Sequence, residues 1–147
     1  MRTFEDFTPG EVIALGEYHV TESEMIAFAE RYDPQAFHID PVGAAKSPYG
    51  GIIGSGWLTT AILQRMQCDS YLNDSSCAGS PGVDEIRWLK PVRPGDTLHG
   101  SNEVESVKPS RSKPDRGVVF SKIEIYNQHK VLVMTLRTRV IYLKRAD

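Results

Sequence analysis

From Val83 to Tyr142 the chain presents one strand-like segment after another with no helix between them, and this limits its fold more than any other feature. Val83 to Leu89 is bounded by Pro81-Gly82 and Lys90-Pro91, and Thr97 to Val107 follows the tight turn Pro94-Gly95-Asp96. Beyond a basic stretch from Lys108 to Gly117, the residues Val119, Ser121, Ile123 and Ile125 alternate with Phe120, Lys122, Glu124 and Tyr126. The last segment sets Leu132, Met134, Leu136, Thr138, Val140 and Tyr142 on one face and Arg137 and Arg139 on the other. Asn127-Gln128-His129-Lys130 joins the two as a hairpin-length connection. Strands joined this way pair antiparallel, because each parallel pair would need a crossover of a dozen or more residues, usually a helix.

The helical signals lie upstream. Val12 to Val20 reads as a first strand, after a leading arm closed by Pro9-Gly10. Thr21 and Glu24 have capping-box spacing, and Val20 and Met25 have that of a hydrophobic staple. Met25, Phe28, Ala29 and Tyr32 form one apolar stripe, and Pro34 ends the helix by disfavouring αR at Asp33. Asp40, as N-cap before Pro41, starts a short helix through Ala44 and Ala45. Ser55 caps the next helix, from about Gly56 to Asp69, in which Trp57, Leu58, Ala61, Ile62, Leu63 and Met66 leave little polar face. That helix is expected to be largely buried. Tyr71 to Gly79 is a polar loop. The order is α+β: helices, then an antiparallel curved sheet with the apolar helix against one face. The glycines from Gly50 to Gly56 do not match the GxGxxG spacing of a dinucleotide-binding turn.

A chain of 147 residues is one domain's worth, and residues 1–147 show no repeat and no linker. The net charge of −2 gives no reason to expect nucleic acid. Cys68 and Cys77 lack CxxC spacing and a neighbouring histidine cluster, so they read as reduced thiols, with no metal site and no bound cofactor expected. The N-terminal residues are partly acidic with no apolar core, and no apolar run approaches the roughly 20 residues that span a bilayer. The expectation is a soluble, cytoplasmic protein.

Chemistry concentrates in Tyr32-Asp-Pro-Gln-Ala-Phe-His-Ile-Asp40 and in Gly50-Gly-Ile-Ile-Gly-Ser-Gly-Trp57. The first places Asp33 and His38 in one short loop; the second opens a helix with a glycine-rich turn. An acid, an imidazole and a cluster of backbone N–H donors are the ingredients for chemistry on a carbonyl or thioester. Each residue also has a plainer reading: Asp33 as a turn residue before proline, His38 as a structural histidine, Gly56 as a site of tight packing.

The spacing of Asp33, His38 and Asp40 resembles the MaoC-like dehydratase family, which includes the (R)-specific enoyl-CoA hydratases. Ser55-Gly56-Trp57-Leu58 stands where that family opens its central helix. The segment from Gly82 to Leu98 is similar to its apolar strand, proline and Gly-Asp turn. Two departures are Gln35-Ala36, where hydratase members often carry Asn-Pro, and Ser55, where many carry histidine.

The resemblance implies a hot-dog fold and at least a homodimer, with an acyl tunnel near the interface. It also implies addition of water to trans-2-enoyl-CoA, syn and reversibly, to give a 3-hydroxyacyl-CoA. In that chemistry His38 takes the proton of water, and Asp33 delivers a proton to C2. Asp33 would then need a pKa raised by burial beside the tunnel. The Gly56 N–H, at a helix start, receives the thioester oxyanion. Ser55, Trp57, Arg87 and Lys90 are the candidate substrate-binding residues. Arg93 and the stretch from Lys108 to Gly117 are further candidates for the phosphates of an acyl-CoA. The alternatives are a hot-dog acyl-CoA thioesterase, with water attacking the carbonyl, and a non-catalytic acyl-thioester binding subunit.

Overall fold

In the computed structural model, which describes residues 1–146, the N-terminal arm carries a 3-10 turn over Phe4–Asp6 before β1 (Val12–His19). Four helices follow: α1 (Glu22–Tyr32), the single turns α2 (Ala36–Ile39) and α3 (Pro41–Ala45), and the long α4 (Gly56–Ser70). After a 3-10 turn at Leu72–Asp74 come β2 (Gly82–Trp88), β3 (Thr97–Pro109), β4 (Arg116–Tyr126) and β5 (Leu132–Leu143). They form one sheet in the order β1-β3-β4-β5-β2, every neighbour antiparallel. The expected α+β class and antiparallel sheet are what the chain forms.

Period-two alternation sets the inner face. On β4 each second residue is buried, Val119, Ser121, Ile123 and Ile125 among them, and on β5 Met134, Leu136, Thr138 and Tyr142 take the same side. Against this face α4 lays Leu58, Ile62, Leu63 and Met66. The sheet bends around the helix in the hot-dog manner. Bulges in β1 and β3 help it curve, the first at Gly16, whose φ of +71° a side chain would resist.

The helix is less enclosed than its composition suggests. Trp57 and Ala61 lie on its outer face and are exposed, whereas Thr59 and Gln67 are buried. Two more expectations are adjusted. The basic connection is shorter, because β3 runs to Pro109 and β4 starts at Arg116. Only half of the capping box forms at α1: the Glu24 N–H donates to Thr21 Oγ1 at 3.2 Å, but the Glu24 carboxylate instead accepts the Tyr18 hydroxyl at 2.6 Å. Cys68 and Cys77 are not bridged, and no described helix is long and apolar enough to cross a membrane.

Two backbone hydrogen bonds seat the glycine-rich segment. Ile53 N–H donates to Phe37 O at 3.1 Å, and Gly54 N–H to Val92 O at 2.8 Å. They draw α2, the start of α4 and the chain after β2 together at one end of the curved sheet.

Candidate active site

Asp33 is the C-cap of α1, its N–H donating to Ala29 O at 2.8 Å where Pro34 stops the helix. His38 does not sit in a loop: it lies in the single helical turn α2, which begins two residues after the proline. The residue is 5% exposed. Nδ1 lies 2.7 Å from the carbonyl oxygen of Ile53, and a carbonyl only accepts, so Nδ1 carries the hydrogen. In the neutral ring Nε2 is then the free base. It faces Asp33 Oδ2 at 3.3 Å.

The Asp33 carboxylate is held by two more donors. The Gln35 amide donates to Oδ1 at 2.7 Å, and the Ser55 hydroxyl to Oδ2 at 2.7 Å. The Gln35 amide first, then the Ser55 hydroxyl, hold this carboxyl below the ordinary carboxylate range, outweighing an opposing desolvation, with a small further pull whenever the His38 ring is protonated. This reverses the raised pKa expected from burial beside a tunnel: the carboxylate is not buried in apolar surroundings but solvated by protein donors. Ser55 is fully buried, and its Oγ also accepts the Trp57 N–H at 3.3 Å. One hydroxyl thus caps α4 and ties its start to the end of α1.

Gly56 is the first residue of α4, and its N–H has no protein acceptor among the described residues. It lines a cavity of about 350 Å³ together with Phe37, His38, Tyr49, Thr59 and Trp88. Lys90 and Val92 contribute from the chain after β2, and Val133 from β5. Lys90 is the one lysine or arginine on this wall.

Of the residues singled out in the sequence, His38, Gly56 and Lys90 meet at the cavity, with Asp33 and Ser55 bonded behind them. The other two substrate-binding candidates do not reach it. Trp57 is exposed and packs edge-on against Trp88 with ring centroids 5.0 Å apart, and Arg87 pairs on the surface with Glu85 at 3.1 Å. Neither Arg93 nor any residue from 108 to 117 lines the wall. The aromatic wall of Phe37, Tyr49 and Trp88 has little signal in the sequence beyond Phe37 preceding His38 and Trp88 lying just before Lys90-Pro91. No group of three or more His, Cys, Asp or Glu side chains among the described residues is placed to hold a metal ion.

Residues 6–124 match the family model of the MaoC like domain. The chain belongs to the MaoC-like domain family. A MaoC-like dehydratase from Rhodospirillum rubrum superposes with a TM-score of 0.91 at 34% identity, each chain covered in full. The 3-hydroxyacyl-thioester dehydratase Z of Mycobacterium tuberculosis is 28% identical over 138 residues, spanning 88% of this chain and 91% of that protein. The unliganded R-hydratase PhaJ1 of Pseudomonas aeruginosa shares the fold, with a TM-score of 0.78 at 21% identity over 97% of this chain and 86% of its own. This MaoC-like domain therefore carries the hot-dog fold that the family resemblance implied.

Proposed function

We propose that this MaoC-like protein adds water to trans-2-enoyl thioesters and removes it from 3-hydroxyacyl thioesters, working as a homodimer on acyl-CoA. The observation that carries this reading is the pairing of Asp33 with a His38 ring whose Nδ1 is occupied by Ile53, leaving Nε2 as the base at the cavity wall.

Hydration needs a base for water, a proton for C2 and a donor for charge on the thioester oxygen. Water bound beside Asp33 Oδ2 and His38 Nε2 meets two acceptors and turns its lone pair toward C3. As its oxygen bonds to C3, one O–H proton passes to Nε2 and the C2=C3 electron pair moves onto the thioester as an enolate. The Gly56 N–H, free of a protein acceptor, is the donor for that oxygen. The imidazolium then returns its Nε2 proton to C2 from the same side, which makes the addition syn and leaves every group as it started. Asp33 stays ionised throughout, orienting the water and stabilising the imidazolium. A carboxyl held below its ordinary range suits that part better than the proton delivery first expected of it.

The test is a paired assay on purified protein with crotonyl-CoA and a medium-chain trans-2-enoyl-CoA, following the conjugated enoyl absorbance and, separately, free thiol. Loss of absorbance without thiol is the expected result. Thiol release would replace the reading with a thioesterase, and silence in both channels with ligand-induced stabilisation by acyl-CoA would replace it with a binding subunit.

A further inference from the structure

Gly56 has a second neighbour besides the cavity. A Cβ built on it would lie 2.5 Å from Cδ2 and Cε2 of Trp88 and 2.9 Å from Cγ, so the indole lies against the space a side chain would need. Trp88 by itself therefore requires a glycine at this position. The two residues are also joined through a hydroxyl: Trp88 Nε1–H donates to Thr60 Oγ1 at 3.2 Å, and Thr60 Oγ1–H donates to Gly56 O at 2.9 Å. The same indole lines the cavity beside His38, and its outer edge meets Trp57. At its base, Leu89 N–H donates to Val133 O at 2.8 Å, fastening the end of β2 to β5.

A first helical turn is held on one side only by its own ladder, and here its first amide is unpaired. An indole packed on the Cα and a hydroxyl on the carbonyl restrain Gly56 at two points next to its amide. We propose that Trp88, acting through Thr60, is a positioning residue that fixes the Gly56 amide for the thioester oxygen. This rests on the hydratase reading above. The geometry has a direct consequence: an oxyanion donor helps only when it is already aimed where charge develops, so loosening it lowers turnover more than it weakens ground-state binding.

The test uses Trp88→Phe, which keeps an aromatic ring and loses the N–H, and Thr60→Val, which removes the hydroxyl link and leaves the ring. Each should lower kcat for crotonyl-CoA on the order of 10-fold to 100-fold with KM changed much less, the scale expected for a misplaced group. Thr60→Ser, which keeps the hydroxyl, should restore most of that loss. Near-wild-type kcat in both Trp88→Phe and Thr60→Val overturns the proposal, as does a loss carried by KM alone. A second measurement is independent of activity. Gly56→Ala should lower the melting temperature, and Trp88→Ala added to it should cost less than it costs in the wild-type chain; simple additivity would show that the indole does not occupy the Cβ space. A wild-type protein inert toward both crotonyl-CoA and a medium-chain trans-2-enoyl-CoA but showing that thermal coupling would sink the hydratase reading and leave the Gly56–Trp88 packing standing.

Discussion

The Ser55 hydroxyl donates to Asp33 Oδ2 at 2.7 Å across 22 residues of chain, making the cap of α4 and the terminus of α1 one unit. Because the bond stabilises the ionised carboxylate, its removal has a definite sign. Ser55→Ala should raise the Asp33 pKa toward the ordinary value of about 3.9, and Gln35→Ala should do the same by a larger step, since the Gln35 amide is the stronger cause. Carbon-13 titration of the Asp33 carboxyl would read both. A wild-type value at or above the ordinary range would refute the donor geometry.

The same depression bears on acid stability. A carboxyl whose folded pKa lies below its unfolded one binds fewer protons when folded in the interval between the two. Its contribution is complete above the unfolded pKa and disappears as pH falls through the folded one. Asp33→Asn should therefore make the melting temperature less sensitive to pH below about 4. An unchanged slope there would mean that other carboxylates set the acid limb.

For catalysis, Asp33→Asn and His38→Ala should each lower kcat by about 10² to 10⁴, the usual worth of a positioned acid or base, with circular dichroism of the folded state retained. His38→Ala also releases the Ile53 carbonyl from its 2.7 Å bond, so a modest drop in melting temperature should accompany it. Near-wild-type turnover in either variant would remove the pair from the mechanism.

Much of this was legible in the sequence, where the determinants are local. Pro34 marks the end of α1, Ser55 the start of α4, and alternation assigns the buried faces of β4 and β5. What was not legible depends on closure of the chain. The direction of the Asp33 shift follows from the Gln35 amide turning onto the carboxylate and from a hydroxyl 22 residues away, and the cavity wall joins Phe37, Trp88 and Val133 from three distant segments with no shared period. Trp57 counted as part of an apolar helix, yet it projects outward, because a face rich in apolar residues does not say which of them this chain itself covers. Glu24 had a local partner in the Thr21 backbone and took the Tyr18 hydroxyl instead, a choice fixed by how β1 runs into α1.

Beneath the C-terminal half of α4 a buried polar cluster gives an alkaline counterpart. Tyr71 OH donates to Gln67 Oε1 at 3.0 Å and accepts from Asn102 Nδ2 at 2.9 Å, and burial pushes its pKa up to about 12. Tyr142, beside it in the core, is shifted in the same direction. Unfolded phenols ionise near 10, so the unfolded chain loses protons first and stability falls as pH rises from about 10 toward 12. Tyr71→Phe should delete one late-ionising phenol from the ultraviolet titration and flatten that alkaline decline. A titration in which all six tyrosines ionise together near 10 would contradict the buried cluster.

Assembly offers the last prediction. β2 pairs with β5 along one side and has no strand partner along the other among the described residues. Val83 and Trp88 of this strand and Leu89 just beyond it are exposed apolar residues, and Trp88 meets the exposed Trp57 of α4. An unpaired edge beside exposed apolar residues favours pairing, and the edge charges Asp84, Glu85 and Arg87 are already engaged in ion pairs within the chain. The proposed homodimer would use this edge. Light scattering should give twice the chain mass, and Val83→Lys should weaken association by about tenfold or more, roughly 1.4 kcal/mol, while the melting temperature of the monomer changes little. A wild-type monomer would remove the homodimer from the proposal, and a dimer indifferent to Val83→Lys would move its interface away from β2.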